Sequence, residues 1–201
     1  MPLQRIPGAM VSDSTITTND VQDGSLTGTD IQDASIQGTD LAAGATAIAR
    51  DTAKASTSGV AVQFTGIPSW ARRITVAFNN VSTNGTTNIL VQLGTGGTPT
   101  TSGYTGNSVF SWASGVVPVS STAGIPIFNN AASYNHFGHL VLTNISGSTW
   151  LASGEFVTAG TQGSIISGGV VTLAGLLDYL RVVTANGTDT FDAGSINVFF
   201  E

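Results

Sequence analysis

His136 and His139 are the only histidines in the chain, and they stand as His-x-x-His. Two imidazoles can ligate a metal, but zinc motifs place them four apart on a helix or add further ligands nearby. On a strand, a separation of three turns the two rings to opposite faces. The expectation is therefore satisfied or solvent-facing histidines and no metal site; a metal on a symmetry axis, one histidine per chain, is the alternative. Glycoside hydrolysis needs two converging carboxylates, and beyond residue 56 the acids are Glu155, Asp178, Asp189, Asp192 and Glu201. Asp189 and Asp192 fall by a turn and a strand end, where Asp is ordinary. Serines are many, yet no G-x-S-x-G elbow and no Walker-type loop occurs. The expectation is a protein that is not an enzyme, with no catalytic residue and no cofactor.

Three tryptophans, Trp70, Trp112 and Trp150, offer flat faces of the kind on which sugars stack, although in a sandwich of this size most serve the core or an interface. Trp112 alternates in phase with Phe110, which predicts burial. Trp70, in "GIPSWARR" beside Arg72 and Arg73, lies next to a turn, and these three are the candidate surface-contact residues. Arg181 shares a strand face with Leu177 and Tyr179, a placement that calls for a carboxylate partner.

The elements that must position these residues follow from composition. Up to Asp51 there are seven aspartates against Arg5 and Arg50, a net charge of −5, whereas residues 52–201 carry a net of −1 and almost all the aromatics. The chain has no cysteine, which excludes disulfides and thiolate metal sites. Its pI near 4.5 and the lack of a basic cluster beyond Arg72 and Arg73 argue against nucleic acid. The longest apolar run, Ile165 to Leu177, is interrupted and shorter than the ~18 residues of a membrane span, and the start lacks a signal-peptide pattern. No membrane insertion and no export are expected.

Ile6, Val11, Ile16, Val21, Leu26, Ile31, Ile36 and Leu41 recur at intervals of five. Neither a strand, with period two, nor a helix, with period 3.6, keeps such a series on one face. Asp20, Ser25, Asp30, Ser35 and Asp40 precede successive members, so the deeper repeat is ten. Each pentad reads as a short extended piece with one apolar side chain, followed by a turn. A square β-solenoid of so few coils could bury little, since stacked repeats need about three neighbours and caps. Copies running side by side, three for preference, would share one apolar axis; the other reading is a weakly patterned tail that orders on docking. The aspartates serve turns and solubility more simply than calcium, because the period and double glycine of calcium-binding nonapeptides are missing.

Residues 1–45 thus read as an extended attachment and stem segment, 46–56 as an Ala-rich neck, either short helix or linker, and 57–201 as the head. In the head, ten short β-branched or aromatic runs are bounded by Asn-Gly, Gly-Gly, Gly-Thr and Pro. They predict an all-β, antiparallel, jelly-roll-like β-sandwich. The last run puts Ile196, Val198 and Phe200 on one face.

The repeat "NDVQDGSLTGTDIQDASIQGTDL" resembles the decapeptides of fibre and appendage proteins of tailed bacteriophages. The segment "FTGIPSWARRITVAFNNVSTNGTTNILVQLG" and the ending "ANGTDTFDAGSINVFFE" are similar to small phage virion proteins with fibre-type C-terminal domains. The resemblance implies a homotrimer held to the particle by its N-terminal segment, made in the bacterial host cytoplasm and carried on the virion. It brings no catalytic residue. A tail fibre whose head touches host surface glycan is the first expectation. A head-fibre or capsid decoration protein that stabilises the shell is the second, and a free lectin-like module the third.

Overall fold

The computed structural model describes residues 48–159 and 163–201, together with Val21, Gln22, Ser25 and Thr27. The chain divides into two compact units, Met1–Ala45 and Thr46–Glu201. In the first, Ser25 N–H donates to Gln22 O at 3.0 Å, the i to i+3 reach that closes a turn. Val21 there is half-buried. Ile6, Val11, Ile16, Leu26, Ile31, Ile36 and Leu41 lie outside the described residues.

The second unit is all-β, with no helix among its described residues. Its strands are β1 (Ala49–Arg50), β2 (Lys54–Ala55), β3 (Ala61–Thr65), β4 (Arg73–Thr83), β5 (Ile89–Thr95), β6 (Thr98–Pro99) and β7 (Thr105–Trp112). There follow β8 (Gly115–Ser121), β9 (Ile125–Ile127), β10 (Asn135–Ser146), β11 (Thr149–Ala159), β12 (Gly163–Thr172), β13 (Tyr179–Thr184) and β14 (Phe191–Phe200). Nine of them form one antiparallel sheet in the order β1-β14-β4-β10-β11-β12-β7-β8, with β2 also on β14. The other five form β3-β13-β5-β6, with β9 on the free side of β5.

Alternation builds the core between the sheets. Ile74, Val76 and Phe78 of β4, Leu140 and Leu142 of β10, Trp150, Ala152 and Phe156 of β11 and Ile196, Val198 and Phe200 of β14 point inward. Leu180 and Val182 of β13 and Val91 and Leu93 of β5 answer from the smaller sheet. Aromatic pairs fill the larger gaps: Phe78 meets Phe156 edge-on at 5.2 Å and Phe110 stacks on Phe128 at 4.9 Å.

All ten runs expected from sequence are strands, and four more join them. The sequence does not announce β8, because Pro118 interrupts it; at the edge of the large sheet a missing N–H costs no ladder bond. The neck is extended where it is described, not helical. Ala49 pairs with Phe200 and Lys54 with Ile196, while Ser56 is fully buried and hydrogen-bonded to Ala193 O and Gly194 O. The edge of β14 offers unpaired backbone groups, and an isolated helix of so few residues is marginal, so sheet pairing prevails.

Candidate functional site

The histidine pair splits as strand geometry requires. His136 points into the core, fully buried, with Nε2 2.9 Å from Phe128 O and Nδ1 3.2 Å from Val81 O. A neutral ring has one N–H to give, and the shorter contact assigns it to Nε2, donating to Phe128 O. Burial is the dominant influence and holds His136 below the ordinary histidine range, against the opposing pull of the two carbonyls. Folded His136 therefore resists a proton that the unfolded chain accepts below about pH 6.5. Stability is full above that value and falls as pH drops beneath it, by at most about 1.4 kcal/mol per pH unit. Denaturant melts at pH 7.5 and 5.5 are expected to show this loss in the native chain and a smaller one in His136→Gln; equal losses would remove His136 as the cause.

The carboxylates do not converge. Asp178 accepts from Gly96 N–H and Gly97 N–H at the β5–β6 turn. Asp189 accepts from Thr87 N–H at 3.1 Å, and the Asn186 side chain first, then the Thr87 and Thr86 backbone, hold its carboxyl below the usual range. Asp192 accepts from the Ser82 hydroxyl. Glu201 pairs with Arg73 at 3.3 Å, and its backbone bonds Arg72 and Arg73. Each of these acids fastens one segment to another, leaving Glu155 exposed on β11.

Trp70 is half-buried and packs against the core. The Arg72 guanidinium donates to Ser69 O and Ala71 O, so this cluster closes its own turn as well as facing solvent. Among the described residues Arg181 has no carboxylate beside it: its Nε donates to Gln92 Oε1 at 2.6 Å, and Gln92 in turn donates to Ala123 O. A buried amide does what a carboxylate was expected to do, because it can accept from the guanidinium and still satisfy a carbonyl. Tyr104, whose hydroxyl accepts from Leu93 N–H, is pushed up to about 12 by burial. Trp112 departs from expectation: it shares Phe110's side and stacks on it at 6.0 Å, yet is 49% exposed. It is the last residue of β7, so alternation sets its direction without supplying a cover.

What the sequence reading missed is the outward face of the large sheet. Register places His139 opposite Glu155, Glu155 opposite Ile166 and Ile166 opposite Val109, while Phe137 faces Val157 and Leu151 faces Val170. Ile166 is 58% exposed, Val157 55% and Leu151 46%. The signal was present in "GSIISGGVVTL" and "TWLASGEFVTA", which are apolar at both parities, as in a strand covered on two sides. Ile166 forms a ridge between two shallow hollows. One, of about 450 Å³, holds Phe137, His139, Glu155 and Val157. The other, of about 510 Å³, holds Val109, Leu151 and Val170.

No protein-family model, curated protein or solved structure matches this chain. Among the described residues no three His, Cys, Asp or Glu side chains cluster as metal ligands, and no helix is long and apolar enough to cross a membrane. What the geometry offers is two antiparallel sheets over one core, with a broad, partly apolar outward face on the larger sheet.

Proposed function

We propose that the protein is a structural virion protein of a tailed bacteriophage, a homotrimeric tail fibre attached to other virion proteins by residues 1–45, with its head contacting the host surface. The observation that carries this reading is the five-residue apolar period of the first unit, joined to an antiparallel β head. One copy of such a repeat cannot bury its single apolar file, whereas copies arranged about an axis can. A sandwich of the jelly-roll type belongs to the same proposal, supported by two antiparallel sheets over one core.

The engagement of Trp70, Arg72 and Arg73 within the fold favours a second reading, in which the protein decorates or stabilises the capsid and touches no receptor. Immunogold labelling of purified phage particles with antibody against residues 57–201 separates the two. Gold at the tail is the expected result. Gold over the capsid moves the protein to the shell, and particles without gold overturn both readings.

A further inference from the structure

We infer that the outward face of β7, β10, β11 and β12 is where the head of one copy meets the head of another, with Ile166 at its centre. This rests on the homotrimer reading above and names the surface that would serve it.

The face is apolar beyond ordinary surface. Val109, Leu151, Val157, Ile166 and Val170 are brought together by register rather than scattered singly. Four strands over about eight residues span roughly 500 Å² in plan, polar positions included, and the apolar side chains cover about half of it; the largest apolar patches on monomers, about 300–600 Å², are often functional. Two standard partners bury about 800 Å² each, so a face of this size can supply the greater part of one partner's share, with Ser153 and Glu155 among its apolar side chains. Ser153 and Glu155 lie within it on β11, between Leu151 and Val157, and Ser164 and Asn107 lie beside it.

Charge selects the occupant. The outward side chains of these four strands carry one carboxylate, Glu155, and neither lysine nor arginine. The chain's own first segment, with a net of −5 through Asp51, would bring aspartates to a face that offers them no cation. A second copy brings the same nearly neutral surface, in which His139 of one head can lie beside Glu155 of the next. Shape agrees: one patch carries both a ridge, Ile166, and hollows on either side of it, so it can mate with its own kind. The ridge of each copy entering a hollow of the next is a head-to-tail contact, which forms a ring of three where successive copies are turned by one third of a circle. Segments that align through the five-residue repeat would hold the heads at an effective concentration near millimolar, where even a modest face associates.

The absence of cysteine permits a clean test on the full chain. Ser153→Cys places one thiol on the face, and Thr188→Cys, made separately, places one on an exposed loop. Maleimide is expected to label the thiol on the face at least ten-fold more slowly than the thiol on the loop, in protein whose mass is that of an oligomer. Adding Ile166→Arg to the Ser153→Cys chain is expected to bring its labelling up to the loop rate. Equal rates in an oligomer overturn the proposal and leave the homotrimer standing, since copies then meet elsewhere. Equal rates in a monomer overturn both. Slow labelling in a monomer also overturns it, because the chain's own first segment is then the cover.

Discussion

Replacing Phe156 by alanine is expected to lower the free energy of unfolding by about 3–5 kcal/mol, read as a lower denaturant midpoint with an unchanged slope. Phe156 is 1% exposed, meets Phe78 edge-on and lies over the backbone of Gly138 on the neighbouring strand. Truncation removes the transfer free energy of the ring and leaves a cavity that two hydrogen-bonded sheets cannot readily collapse. Against a total of about 5–15 kcal/mol for a domain, the loss is a large fraction. A change below about 1 kcal/mol would mean that the two sheets are less tightly apposed than the Phe78–Phe156 contact implies.

The second large effect is expected at Gly138. Its φ of +147° belongs to the region that side chains rarely adopt, and a Cβ built there would stand 2.2 Å from Glu155 O and 2.8 Å from Phe156 Cα. Both obstacles are backbone or rooted in it, so neither can rotate away. The position coincides with the register shift between His136 and Gly138, where β10 bends against β4. Gly138→Val is expected to cost about 3 kcal/mol or more, from backbone strain together with forced separation of β10 and β11. Gly147→Ala serves as the comparison: φ is +52° there but the space around it is open, so only about 1 kcal/mol is expected. Equal small losses at both sites, by chemical denaturation, would contradict the close approach at Gly138.

These two residues show how far sequence carries the fold. Phe156 was legible as part of a strand, since "TWLASGEFVTA" is a β-branched and aromatic run, but with apolar residues at both parities its inward direction came from the register. Gly138 was not, because a glycine in a strand announces only that something approaches closely, without saying what. β8 was hidden by Pro118, whose acceptability depends on being at an edge, a property of the sheet rather than of the segment. The neck was hidden by alanine, a helix former that pairs equally well when a strand edge is waiting. Among the site residues, the opposed directions of His136 and His139 followed from spacing alone. The Gln92 partner of Arg181 did not, because it comes from a strand 89 positions away in the chain. The outward face was legible only as a surplus of apolar residues, and its ridge and hollows required the register of β7, β10, β11 and β12.

The claim on which the rest depends is that this chain works as three copies. Sedimentation equilibrium of the intact chain, from micromolar concentration down to tens of nanomolar, tests it most directly. The expected result is three times the 20.4 kDa of one chain, held across the dilution series. A single-chain mass at every concentration would contradict the shared apolar axis and, with it, the fibre reading.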